Sequence, residues 1–412
     1  MTTLANLRTS AAPWLVLPAF VYMVLTAGSS RESVRDGVLA GELAAWAVVA
    51  IVPAVAAAAS WEAGRHRRIA DLRSVAARRP LRLWVWATVP VLALHLVLVA
   101  GALVIARSSA EVWPSGRGLL AVAHLVVLPF GWSAVGWSLG MLLPRAAAAP
   151  LAAVASWAWM AMTHAMGTPF LRHLGGFVME NSSLTDLVDP LAYLVPWLVV
   201  GGLAGAVGLL TGVRRRPVPA ILAAALVAAS TLVAGRSLVL DWGFSPRTEP
   251  RAMPTVCAGR APAVCVPEAY GRVHAEKARE AALPALGALR SAGLPGPEVV
   301  RLASAALPPV RGSWPLLWSS DMPADQIAIS VARSAVTGVA ADAGVRDCRQ
   351  SSVADAWASV VAGLDPREAR DRMAPGDWAV VSEVRSRPAP EQARWFTETV
   401  RAQKHCVRSV AR

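Results

Sequence analysis

The sequence predicts an all-α polytopic membrane protein: about seven transmembrane helices followed by a mainly α, disulfide-stapled extracytoplasmic domain. Three observations carry this. The chain of 412 residues is 55% hydrophobic and only 16% charged, against about 25% charged in an ordinary soluble domain. Its long apolar runs all fall within residues 1–240 (transmembrane domain), while 241–412 (C-terminal domain) reads like a soluble domain. All four cysteines lie in that second part.

A helical crossing needs roughly 20 apolar residues. Seven stretches meet this: about 11–28, 38–60, 83–106, 119–143, 146–167, 191–212 and 218–240. Trp14, Trp61, Trp84, Trp113 and Trp242 sit near their ends, where amphipathic rings favour the headgroup level. Pro90, Pro129 and Pro196 fall inside spans, and membrane helices tolerate proline better than soluble ones. Arg8, an apolar run and Leu25-Thr26-Ala27 also fit a cleaved signal peptide; a retained first span is the reading adopted.

Orientation follows from arginine. With the N-terminus inside, the inner segments hold 12: Arg8, Arg65, Arg67, Arg68, Arg73, Arg78, Arg79, Arg82, Arg145, Arg214, Arg215 and Arg216. The outer loops hold 5: Arg31, Arg35, Arg107, Arg117 and Arg172. The positive-inside rule selects this orientation, and seven crossings then leave 241–412 outside a plasma membrane. The formal charge of +13 thereby finds its use in orientation and in anionic lipid, and nucleic acid is set aside as a partner. Only Lys277 and Lys404 are lysines, an arginine bias that a high-GC coding sequence produces as well.

Cys257, Cys265, Cys348 and Cys406 form an even set confined to the outer domain, as expected in an oxidising compartment. Three pairings exist. The favoured one joins Cys257 to Cys265 across a short Pro- and Gly-containing loop, and Cys348 to Cys406, tying the last helix to the body. Free or zinc-bound thiols are the competing reading, weakened by the lack of a C-x-x-C pair.

The connections between spans have a pattern. Trp61–Arg82 is long, basic and predicted helical; the turn near Pro144-Arg145 is only a few residues; 168–190 is semi-polar and long enough for short helices dipping into the outer leaflet. Together with the runs WEAGRHRR, AARRP and GWSLGMLLPRAAAAP, this resembles the membrane (permease) subunit of type-2 ABC exporters, of an actinobacterial kind, over about residues 1–212. The seventh span and the tail depart from the plain six-span pattern. Tails opening with a C…VCV-P-x-x-Y stretch, here Cys257 to Tyr270, occur on some actinobacterial members. The resemblance implies that Glu62, Arg65, Arg67, Arg68, Asp71 and Arg73 form a coupling surface for a separate cytoplasmic ABC ATPase, and that the permease pairs with a like subunit. The arginine density there suits an acidic groove or anionic headgroups in any case; a solvated, topology-setting loop is the plainer alternative.

Motifs bound the chemistry. An ATPase needs G-x-x-x-x-G-K-[ST] to cradle phosphates, and neither lysine has that glycine frame. Gly136-Trp137-Ser138-Leu139-Gly140 matches the G-x-S-x-G elbow, but lies in an apolar span, so Gly136 and Gly140, like Gly201 and Gly205, read as close-packing helix faces. His274-Ala275-Glu276 lacks the P-C-x-x-C that a zinc deaminase requires, and H-E-x-x-H is absent from the sequence. No catalytic residue, metal or cofactor is assigned.

Glu42, His95, His124, His164 and Arg236 are the ionisable residues within spans. Such groups face a bundle interior or water. Glu42 and Arg236 snorkel to the interface, line a polar route or pair with each other. In the tail the pattern predicts helices at about 267–292, 296–307, 322–343, 351–363, 366–373 and 389–410, with strands allowed around Trp378–Val384. Three functions remain: an export permease that is no enzyme by itself; an envelope or receptor protein whose outer domain binds a ligand or partner while the spans only anchor it; and an outer hydrolase with a dispersed triad on His274 or His405.

Overall fold

The computed structural model describes residues 9–27, 35–68, 80–178, 182–212, 217–304, 310–319, 321–344 and 352–402. The chain divides into two compact units: Met1–Ser183 with Leu187–Thr248, and Leu184–Asp186 with Glu249–Arg412.

The first unit is helical. Its elements are α1 (Ala12–Ala27), α2 (Gly37–Ala45), α3 (Val48–Arg68), α4 (Pro80–Ala110), α5 (Gly118–Leu142), α6 (Arg145–Ala165), α7 (Pro169–Gly175), α8 (Leu191–Gly212) and α9 (Pro217–Val239). Among the described residues, six helices are long and apolar enough to cross a membrane: Val48–Arg67, Trp86–Ala110, Gly118–Leu142, Arg145–Ala165, Leu191–Thr211 and Val218–Val239. The first expected span is shorter than expected. α1 has 16 residues, about 24 Å at 1.5 Å per residue, against a hydrocarbon core of about 30 Å.

The second expected span is also not one rod. It breaks at Trp46-Ala47 into α2 and α3, and α3 continues through WEAGRHRR to Arg68. Asp36 starts α2, its carboxylate accepting from the Val38 and Leu39 amides at 3.0 and 3.1 Å, which satisfies two of the orphan donors of a helix start. α2–α3 and α5 run in the same direction at backbone contact. A Cβ on Gly41 would lie 2.2 Å from Gly118 O, one on Gly136 2.3 Å from Ala56 O, and one on Gly140 2.1 Å from Ser60 O. Gly136 and Gly140 therefore pack a helix face as their spacing predicts. Gly201 and Gly205 do not: a Cβ on either meets nothing, and it is Gly202 that abuts Thr231 of α9.

The second unit is mostly helical, as expected, but it also holds a sheet that was not expected. It is built on a four-stranded sheet in the order β1 (Thr255–Ala258), β2 (Ala263–Pro267), β3 (Val299–Leu302), β4 (Ser313–Leu316). β1 and β2 are antiparallel, with Cys257 directly opposite Cys265 and bonded to it as a disulfide. β2–β3 and β3–β4 are parallel. Where a helix is expected at 296–307, Val299–Leu302 forms β3; residues 305–307 lie outside the described residues. α10 (Gly271–Ser291) connects β2 to β3, and α11 (Ala324–Asp342) follows β4.

Val264, Val266, Val300, Trp314 and Leu316 share one core with Ala282, Leu289, Val331 and Ala335 of these helices. Gly338 leaves room for the Trp314 indole, whose Cδ1 is 2.0 Å from where a Cβ would be. The edge strand β4 is covered by α11: Ser334 Oγ donates to Pro315 O and Ser330 Oγ to Leu317 O, both at 2.5 Å, meeting carbonyls an open edge would expose. α12 (Ser352–Val361), α13 (Pro366–Asp371), α14 (Pro375–Arg385) and α15 (Ala389–Ala402) complete the unit. α14 stands where strands were allowed. Trp357 anchors this layer, 5.0 Å from the Phe396 ring and donating its indole N–H to Gln392 Oε1 at 2.9 Å. Cys348 and Cys406 lie outside the described residues.

Candidate functional site

Within the first unit, Glu42, His124 and His164 of the spans hold non-helical backbone. The centre of this arrangement is Glu42, on α2 and only 4% exposed. Its carboxylate accepts from the Ser182 amide at 2.6 Å and the Ser182 hydroxyl at 2.5 Å, and the Tyr193 phenol of α8 hydrogen-bonds to it. Ser182 Oγ in turn accepts from the Val188 amide at 2.8 Å. The Arg117 guanidinium donates to Val188 O at 3.4 Å. A buried carboxylate is tolerable only with donors of this kind around it.

His124, on α5, is next to this cluster. Its Nδ1 accepts the Trp197 indole N–H at 2.8 Å and its Nε2 donates to Gly176 O at 2.7 Å. One nitrogen faces a donor and the other a carbonyl, so the ring is a neutral imidazole with the proton on Nε2. Tyr193 meets it edge-on at 5.2 Å. Gly176 ends α7 in the left-handed conformation at φ 88°, and a Cβ there would lie 2.7 Å from Leu128; only glycine turns the chain at that point.

Three further histidines also donate to backbone carbonyls. His164 Nε2 donates to Phe177 O at 2.6 Å, and His173 Nε2 to Gly243 O at 2.9 Å. Arg172 donates to His164 O and Phe244 O at 2.7 and 3.2 Å. His95 Nε2, on α4, donates to Leu125 O at 2.8 Å. That carbonyl is the one whose helical donor would be residue 129, which is a proline inside α5 and has no N–H to give. His95 supplies the missing donor from the neighbouring helix.

Glu42 and Arg236 are not brought together by these contacts. Glu42 closes on the 182 turn, while Arg236 is exposed with its guanidinium 5.4 Å from the Phe170 ring centre. Ser182, Tyr193, Trp197, Arg117 and His173 were not singled out from sequence. Tyr193 and Trp197 had a readable signal, since they are spaced i, i+4 at the start of an apolar helix, and Tyr193 is one of only three tyrosines.

The predicted coupling residues divide. Glu62 is fully buried and ion-paired to Arg65 at 2.6 Å, not exposed at the surface. Arg65 also donates to Thr9 Oγ1 at 2.7 Å, and Arg67 to Met141 O at 3.3 Å in the last turn of α5, where a cation matches the helix dipole. Arg145 lies over Trp61 at 4.7 Å. The backbone of Arg68 is helical. Asp71 and Arg73 lie outside the described residues.

The site can hold backbone, exclude lipid from polar groups and present a neutral imidazole. Ser138, centre of the G-x-S-x-G match, is buried in the continuous helix α5 with no strand–turn–helix. Among the described residues no group of three His, Cys, Asp or Glu is placed to hold a metal ion.

Comparison with known proteins touches only the second unit. Residues 264–406 match a family model described as a domain of unknown function, DUF7224. That stretch runs from the second residue of β2 past the end of α15. No curated protein and no solved structure matches the chain.

Proposed function

We propose that this chain is a permease-type transmembrane subunit of an ATP-binding-cassette export system, coupled to a separate ATPase through the basic segment 61–82. The observation that carries the reading is α7. Between α6 and α8, the fourth and fifth of the six long helices, the chain forms a short helix whose last residues, His173, Leu174 and Gly175, are buried. The turn after it is held by His124 and His164 on flanking helices. A buried re-entrant element before the sixth crossing is what an exporter permease resemblance leads one to expect, and non-helical backbone at membrane depth is stable only where protein satisfies it. A protein whose spans merely anchor an outer domain has no need of it.

The extension of α3 to Arg68 supports the coupling role by carrying helix toward the basic segment. In this reading α1 also crosses, the second unit faces outward, and the Cys257–Cys265 disulfide agrees with an oxidising compartment. The permease pairs with a second permease subunit in the bilayer.

The test is affinity capture of the tagged full chain from membranes of its own cell, with co-purifying proteins identified by mass spectrometry. Arg65 and Arg67 brace the bundle, so reversing them would confound docking with folding; Arg73, Arg78 and Arg79 are reversed to glutamate instead. A P-loop ATPase is expected with the parent chain and about tenfold less with the triple reversal, since each screened charge contact is worth a fraction of a kcal/mol. Capture with no P-loop ATPase, or capture indifferent to the reversal, contradicts the coupling.

A further inference from the structure

The second unit carries a groove of about 450 Å³, within the range of small-molecule sites. It opens where β3 and β4 end. Ala303 and Leu317, the residues just after those two strands, form its floor with Pro315, and the N-terminal half of α11 forms its wall. The carboxyl ends of parallel strands are where open α/β sheets hold ligands.

Its lining is divided by chemistry. Among the described residues lining it, Arg333 and Arg372 are the charged ones, and Gln326 and Thr337 add hydrogen-bonding groups. Leu317, 64% exposed, and Met322 and Ile329 supply an apolar stretch beside them. Two carboxylates act on the arginines without lining the groove: Glu368 is ion-paired to Arg372, and Asp355 lies within electrostatic reach of Arg333. Burial pushes the Asp355 carboxyl up to about 6, and its Oδ1 has no hydrogen-bond partner. Each guanidinium has five N–H donors, so donors remain for an incoming anion, and planar forks suit phosphate or carboxylate.

We propose that this groove binds an anionic amphiphile, its phosphate or carboxylate head on Arg333 and Arg372 and its hydrocarbon part against Leu317, Met322 and Ile329. The site is independent of the export reading and stands whether or not the first unit transports anything. A free phosphate shares the head chemistry but lacks the tail.

The experiment titrates the full chain, held in amphipol, with three water-soluble probes: dihexanoyl phosphatidic acid, dihexanoyl phosphatidylcholine and inorganic phosphate. Saturable binding of the first is expected, at least about tenfold tighter than either other probe. Arg333→Gln and Arg372→Gln are each expected to weaken it about tenfold, the scale of one charge-assisted hydrogen bond. Leu317→Ser should narrow its advantage over inorganic phosphate. Arg301→Gln, an exposed arginine on β3 outside the groove, is expected to leave it unchanged and controls for general charge. The proposal is overturned by equal binding of the phosphatidylcholine, by equal binding of inorganic phosphate, or by an Arg301→Gln loss matching that of Arg333→Gln.

Discussion

His95 and Pro129 show how single residues settle this membrane fold. A proline in a helix leaves one carbonyl without its donor, and in hydrocarbon that omission costs several kcal/mol unless a neighbour intervenes. His95 reaches Leu125 O at 2.8 Å and closes the gap. His95→Leu is therefore expected to lower stability by about 1–3 kcal/mol, the desolvation cost of an unmet buried acceptor. Pro129→Ala returns the helical N–H, so His95→Leu placed on that background should cost far less. Thermal unfolding of the four purified chains measures the cycle; additive effects would mean that the histidine does not serve this carbonyl. The sequence places His95, His124 and His164 in apolar helices but does not show what each holds. Their partners are backbone carbonyls 13 to 52 residues away, and nothing local in a sequence marks a carbonyl as needy except a proline four residues on. Glu42 is similar: its donor, Ser182, is 140 residues distant.

At the level of elements, periodicity and composition served the membrane unit well and the tail less well. Long apolar runs identify helices because only closed backbone hydrogen bonding survives in lipid, and the six long helices fall where the hydropathy places them. The tail strands are four or five residues long, too short for alternation to declare itself. In 296–307, Val299-Val300 favours a strand, yet Leu302, Ala303 and Ala305-Ala306 favour a helix; pairing with β2 and β4 decides for the strand. The reverse holds at α14, where Trp378, Val380 and Val381 suggest a strand but Pro375 at the helix start and buried Val381 and Val384 three apart fit a helix. Glycine spacing was half informative. G-x-x-x-G names a flat face but not whether a partner lies on it. Gly140→Leu should cost about 2–3 kcal/mol by driving α5 off the Ser60 backbone, whereas Gly201→Leu, into open space, should change the unfolding midpoint little. Equal losses at the two positions would show that the α3–α5 contact is not tight.

For the whole molecule we propose one arrangement, argued from charge distribution and cysteine placement: an inside N-terminus, a polytopic bundle, and an outward-facing second unit that carries the DUF7224 match. The arrangement depends on α1, whose 16 residues must cross for the count to be odd. The function proposed for the bundle and the compartment of the second unit both rest on that crossing. The most direct measurement uses the full chain with Cys348→Ser and Cys406→Ser, leaving only Cys257 and Cys265. Intact cells are reduced with a membrane-impermeant phosphine and exposed to a membrane-impermeant maleimide. Labelling of both sulfurs before the bilayer is opened is the predicted result; labelling that appears only after lysis would place the second unit on the cytoplasmic side and contradict the account.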